Sequence, residues 1–592
     1  MAAPHEETDG RGGLPGHPPD DTLPLRMPAR HAPASPRTAP TSEPEPKGGT
    51  ARLAKSSALM AAGTIVSRIT GFLRTLVMAA AIGVGTLNDS YQVANTLPTM
   101  IYTLVGGGAL NAVFVPQLVR AVKNDKDGGE AYANRLLTLV VVVLAGATTL
   151  CVLAAPLLVR MMSPDIAADP QRMALTVAFA RYCLPTMFFM GIHVVLGQIL
   201  NARDRFGAMM WTPVLNNVVT IAGFGAFIWA FGGFTDSGVG PATITPEGVR
   251  LIGLGTLLGL AVQALAMLPY LREAGVRLRP RFDFRGHGLG KAVGLAKWTL
   301  LFVLANQVGL TVVTQLATKA GATAERAGHT GAGITAYNFA YQIWQMPQAI
   351  ITVSVMTAVL PRISRAAHAG DATAVRDDIS YGLRTSAVAI VPCAFAFLAL
   401  GTPMATLLYA SSGTEGAQGI GHALMAFGLG LIPYSAQYVV LRGFYAYEDT
   451  RTPFYNTLVV ALVNAAASAL CFALLPARWA VTGMAASYGL AFAVGIAVAW
   501  RRLRKRLGGD LDGARILRTY TRLCVAAAPA ALAAGAASTA LLHAVGTTAL
   551  GSLTALLAGT VVLLGLFLAL ARLLKLPELN ALFTMVRSRL GR

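Results

Sequence analysis

Two arginines, Arg68 and Arg74, stand inside an apolar run otherwise long enough to cross a bilayer, and a guanidinium there needs a chemical reason. A charge at bilayer depth costs roughly 2.5–3.5 kcal/mol on insertion scales, so such groups usually face a polar cavity or an ion pathway. The guanidinium is planar and can donate two parallel hydrogen bonds to phosphate oxygens, which makes an anion the first ligand to consider. The pair shares a helix face with Thr64, Ser67, Gly71 and Thr75. In the next apolar run the same spacing links Asp89, Gln92, Asn95, Thr99, Tyr102 or Thr103, and Gly106. Two neighbouring spans therefore each present a wet stripe. The competing reading is that either arginine snorkels to the headgroups. It is weaker for both together, because the run extends about ten residues on each side of Arg68, toward the middle of a span of about twenty.

The elements that must hold these side chains follow from composition. Hydrophobic residues make up 54% of the 592-residue chain and charged residues 13%, and the mean hydropathy is +0.55. That is the balance of an all-α polytopic membrane protein, not of a soluble enzyme. The net charge of +20 would suggest nucleic acid in a soluble protein. Here the basic residues sit between apolar runs, so it reads as a topology signal and no nucleic-acid partner is expected. Spans of about twenty apolar residues fall near 56–83, 89–118, 134–160, 173–201, 210–233, 249–271, 293–319, 333–360, 380–409, 418–446, 454–475, 479–500, 519–543 and 548–574. The expectation is about 14 transmembrane helices.

Residues 1–50 are rich in Pro, Gly and charge, a composition that predicts a disordered arm dispensable for insertion. Lys and Arg collect after the even-numbered spans, for example Lys123 and Lys126, Arg277 and Arg279, and Arg501 to Arg506. Both termini are therefore expected in the cytoplasm. A repeat supports the layout. Pro116, Arg120 and Ala121 recur as Pro361, Arg365 and Ala366, and Thr212, Pro213 and Asn216 as Thr452, Pro453 and Asn456, in the same order. This predicts two six-helix lobes, 51–275 and 276–508, and leaves 509–592 as two extra helices with a basic tail.

The repeat offers a test of the site, since spans seven and eight should mirror spans one and two. Span seven carries Gln307, Thr311, Thr314 or Gln315, and Thr318, while span eight carries Asn338, Tyr341 or Gln342, Gln345 and Gln348. Any one of these alone is better read as polar packing between helices. Four stripes on repeat-related spans favour a central water-filled cavity. Other chemistry is not evident. GHGLGK at Gly286 to Lys291 is one residue short of a phosphate loop, no His, Cys or carboxylate cluster has metal-ligand spacing, and no cofactor is expected. The five cysteines read as small core residues, and His193 as a satisfied interior histidine.

The run SRITGFLR, followed by DSYQVANTLP and GALNAVFVP, resembles the N-terminal signature of the MurJ/MviN lipid II flippases, within the multidrug/oligosaccharidyl-lipid/polysaccharide exporter superfamily. YEDTRTP at Tyr447 to Pro453 is similar to a turn in that family's C-terminal half. The resemblance implies a bacterial plasma-membrane flippase for lipid II and carries over to Arg68, Arg74 and Asp89, with the diphosphate near the two arginines; the polar stripes add Gln92, Asn95, Asn338 and Gln342 as expected substrate-binding residues. Membrane lipids, and cell-wall synthases, are the other partners it suggests. A polysaccharide-repeat or drug exporter of the same superfamily, and a non-transporting scaffold for the synthases, are the alternatives. The chain departs from the family at Tyr102, Thr103 and Gln342, where further arginines are usual, and at Thr75 and Gly107, where acids are usual. Asp449 could be the remnant of a sodium site that some members have, but no sodium is assigned.

Overall fold

Among the described residues every membrane element is a helix, and the helix ends are set by caps and prolines that the apolar runs themselves do not reveal. In a computed structural model of the chain, residues 47–104, 129–203, 205, 207–282, 297–576 and 578 are described, with backbone alone for 47–61 and 297–300. The chain divides into two units, 1–54 and 55–592, and the cavities and helix contacts belong to the second. The long helices are α1 (Lys47–Ile82), α2 (Thr86–Tyr102), α3 (Glu130–Leu153), α4 (Pro170–Asn201), α5 (Gly207–Phe231), α6 (Pro246–Glu273) and α7 (Lys297–Arg326). They continue as α8 (Ile334–His368), α9 (Ala372–Leu408), α10 (Thr414–Gly428 with Leu431–Ala446), α11 (Arg451–Leu474), α12 (Ala477–Arg506), α13 (Gly513–Val545) and α14 (Ala549–Leu573). Among the described residues there is no strand.

Twelve of these are long and apolar enough to cross a membrane, and the bent pair α10 makes a thirteenth. The chain is a multi-pass membrane protein. The remaining expected span is α2, where residues 105–118 lie outside the described residues. Pro116, Arg120, Ala121, Lys123 and Lys126 lie there too. The expected arm also falls outside them up to residue 46, while α1 already begins at Lys47.

Breaks occur where a proline removes a donor. Span ten, expected as one helix, turns by 51° between Gly428 and Leu431. Pro433 has no N–H to offer the carbonyl of Leu429, and Gly430 lies so close to Gly489 that a Cβ would stand 2.7 Å from its Cα. In α8, Pro347 precedes a π-helical turn over Gln348–Thr352. Helix starts are capped by side chains: Asp169 accepts from the Gln171 and Arg172 amides at 3.0 and 3.2 Å, Thr245 from Gly248 at 3.1 Å, Asp371 from Ala374 at 2.9 Å, and Thr548 from Gly551 at 3.1 Å.

Helices approach through glycine where they touch most closely. A Cβ on Gly223 of α5 would lie 2.9 Å from the Cα of Gly255 on α6, with the reverse at 3.0 Å. Gly223→Leu should therefore force α5 and α6 apart, at an overpacking cost of roughly 1–3 kcal/mol. Thermal unfolding of the purified protein in detergent checks this, and an unchanged melting temperature would contradict the contact. Helices α13 and α14 pack on each other and on α9, with Leu523, Ala527, Phe567 and Ala571 against Ala387 and Val391.

Asp449, weighed above as a sodium remnant, is committed to a cap. It accepts from the Thr452 amide at 3.0 Å and hydroxyl at 2.7 Å, and pairs with Arg506 at 2.7 Å. Burial works against its charge, but these donors outweigh burial and hold the carboxyl below the usual aspartate range.

Candidate functional site

Helices α1 and α2 bring their polar stripes to one cavity of about 390 Å³, and α8 closes it from the other side. From α1 come Arg68, Gly71, Arg74 and Thr75, and from α2 Tyr91, Gln92 and Asn95. From α8 come Asn338, Tyr341, Gln342 and Gln345. Six of the seven expected site residues thus line one cavity: Arg68, Arg74, Gln92, Asn95, Asn338 and Gln342. The irregular backbone of α8 starts at this wall, since Gln345 opens the break that leads into Pro347. In α2, Pro98 lies one turn below Asn95 and has no N–H for the carbonyl of Ala94. Broken helices of this kind are tolerated at membrane depth where they line a cavity.

Charge on the wall is of one sign. It holds two arginines and no aspartate or glutamate. Among the described residues neither guanidinium has a hydrogen-bond or ion-pair partner, whereas Arg172 pairs with Asp165 at 3.0 Å and Arg384 with Glu578 at 2.8 Å. Unmatched positive charge in a polar cavity favours an anion, and two planar forks suit an anion with several oxygens.

Asp89 is not on that wall. It is 1% exposed and accepts from the Thr335 amide at 2.8 Å and hydroxyl at 2.6 Å, capping the start of α8 from the neighbouring helix. The opposite cap is made by Glu325 at the end of α7, which accepts from the Thr86 amide and hydroxyl at the start of α2, both at 2.8 Å. The α1–α2 and α7–α8 junctions are therefore pinned together twice. Gly321 and Gly333 make room, since a Cβ on Gly321 would lie 2.8 Å from an Asp89 oxygen and one on Gly333 would overlap the carboxylate. Asp89 precedes Gln92 by three residues, and Thr335 precedes Asn338 by three. The double pin thus lies about one helical turn above the cavity.

The stripe expected on α7 makes helix contacts, and Gln307 also lines a neighbouring chamber. Gln307 donates to the Met100 carbonyl at 2.9 Å, Gln315 to the Met161 carbonyl at 2.8 Å, and Thr318 meets Ser163 at 2.8 Å. His193 is buried as expected, but its Nδ1 has no partner among the described residues, so it is not satisfied. Four polar wall residues escaped the stripe reading: Tyr91 of α2, Asn216 and Thr220 of α5, and Thr256 of α6. Tyr91 and Thr256 share a hydrogen bond at 2.8 Å. The signal was present for two of them, because Asn216 and Thr220 are four apart in an apolar helix. Among the described residues no group of three or more His, Cys, Asp or Glu side chains could hold a metal.

Comparison with known proteins adds an independent line. Residues 78–559 match the family model described as lipid II flippase MurJ. A protein of Rhizobium meliloti named a probable lipid II flippase MurJ is 27% identical over 485 residues, 80% of this chain and 85% of that one. One of Synechocystis with the same description is 28% identical over 424 residues, 71% and 76% of the two chains. The lipid II flippase MurJ of Burkholderia cenocepacia is 25% identical over 409 residues, 68% and 75%. Among solved structures, a lipid II flippase MurJ in an inward closed conformation aligns with a TM-score of 0.66 at 17% identity, over 90% of this chain and 100% of that one. A multidrug resistance MATE transporter in an inward-facing conformation aligns with a TM-score of 0.60 at 16% identity, over 74% and 95%. These two likenesses show a shared fold.

Proposed function

The chain belongs to the lipid II flippase MurJ family, and from that premise we propose that it carries lipid II from the cytoplasmic to the outer leaflet of a bacterial plasma membrane during cell-wall synthesis. One observation supports the site assignment above all others: a cavity wall with two unpaired guanidinium groups and no carboxylate. In this reading Arg68 and Arg74 hold the diphosphate, and the amides of Gln92, Asn95, Asn338 and Gln342 face the headgroup. The chain makes and breaks no covalent bond; it binds, reorients and releases.

Transport proceeds by alternating access between two lobes, 51–275 and 276–508, with 509–592 as an added pair of helices. With both termini in the cytoplasm, the ends joined by Asp89 with Thr335 and Glu325 with Thr86 face outward. Those contacts close the cavity to the outside, and they must part for release.

Depletion separates this reading from a scaffold for cell-wall synthases. Loss of a flippase traps lipid II in the inner leaflet while the synthases stay in place, and leaflet-specific labelling of lipid II reads this directly. Displaced synthases with normal lipid II exposure would refute transport. Orientation is checked by a cysteine at Arg376, which should react only with reagents admitted to the cytoplasm.

A further inference from the structure

A second chamber of about 350 Å³ lies between α7, α8, α11 and α12. Asn338 and Tyr341 belong to both chambers, so the second adjoins the arginine cavity across one turn of α8. Its wall holds no Asp, Glu, Lys, Arg or His. Amides and hydroxyls alternate there with aromatic rings, with Asn306, Thr457 and Asn464 beside Tyr337, Tyr488 and Phe492. Asn464 is only 6% exposed, and its Oδ1 has no hydrogen-bond partner among the described residues. A buried acceptor of this kind calls for a donor, and none is supplied by the helices around it. Asn306 donates one amide hydrogen to the Phe302 carbonyl at 2.9 Å, and its side-chain oxygen is an acceptor on the same wall.

We propose that this chamber is the subsite for the amino-sugar part of the substrate, next to the arginines that hold its diphosphate. The proposal rests on the lipid II reading above. A diphosphate cannot enter, because its charge would be desolvated with no cation to meet it. The peptide part is disfavoured for the same reason, since its carboxylates would lie unpaired. A hexosamine is neutral, carries hydroxyl and acetamido N–H donors for the carbonyls of Asn464 and Asn306, and has C–H faces that pack on aromatic rings. Its glycosidic link to the diphosphate would pass Asn338 and Tyr341, where the chambers meet.

The test uses the purified full chain in nanodiscs and two probes, lipid II and undecaprenyl diphosphate, which lacks the sugars. Native mass spectrometry or a fluorescence titration reads both affinities. The wild type should bind lipid II the more tightly. Asn464→Leu should weaken lipid II binding by roughly three- to tenfold, the value of a neutral hydrogen bond, and leave undecaprenyl diphosphate unchanged. Thr457→Val serves the same comparison if Asn464→Leu does not fold. Equal weakening of both probes, or none of either, would overturn the subsite. Failure of the lipid II reading looks different: the wild type would bind neither probe, or Arg74→Ala would bind both normally.

Discussion

Replacing either cavity arginine by alanine should reduce lipid II transport by roughly 10- to 150-fold while leaving membrane levels near normal. The loss corresponds to a charge-assisted contact of about 1.5–3 kcal/mol removed from each variant. Folding should be spared, because neither Arg68 nor Arg74 is tied to a protein partner among the described residues. Lysine should rescue only in part, since an ammonium keeps the charge but loses the two-pronged donor. Snorkelling predicts the contrary, with Arg→Lys silent, because lysine reaches the headgroups equally well. Cysteines at both positions should react with small polar thiol reagents and be protected by lipid II. Full transport by the double alanine variant at normal expression would take both residues out of the mechanism.

Gly333→Ala should also reduce transport strongly, although the residue lies off the cavity wall. A Cβ there would overlap the Asp89 carboxylate, and Gly321 on the adjoining helix leaves no slack, because its own Cβ would stand 2.6 Å from the Cα of Gly333. The carboxylate must then leave the Thr335 amide and hydroxyl. Charge-assisted hydrogen bonds of about 1.5–3 kcal/mol would be lost from the closed side alone, shifting the balance of states by roughly 10- to 150-fold. A reporter at Gln92→Cys should then become reachable by a membrane-impermeant reagent from outside. Asp89→Ala should act alike. An unreachable reporter with full transport would mean that these contacts do not govern access.

Periodicity in the sequence reports which face of a helix a residue occupies, and this made much of the cavity legible. The spacing of Arg68, Arg74, Gln92 and Asn95, mirrored by Asn338 and Gln342, led to one wall. Depth along the helix is not encoded that way. Asp89 shares a face with Gln92 and Asn95, yet it stands a turn higher, where the start of α8 needs an acceptor. Partners are equally silent: nothing in span seven shows that Gln307 and Gln315 find carbonyls of other helices. The wall given by α5 and α6 was hidden because a pair such as Asn216 and Thr220 looks the same whether it packs or faces water. The bend in α10 was readable in principle from Pro433, but hydropathy averages across it.

A wall of two arginines without a counter-acid gives the empty and the loaded carrier different electrical character. On the proposed assignment the empty cavity carries two positive charges, and a bound diphosphate cancels them at this wall. A resting potential negative inside would then act on the empty return, drawing the vacant site back toward the cytoplasm. For charges crossing the whole field the gain is about 2.3 kcal/mol per charge per 100 mV. Collapse of the potential should accordingly slow the recovery of the carrier between turnovers.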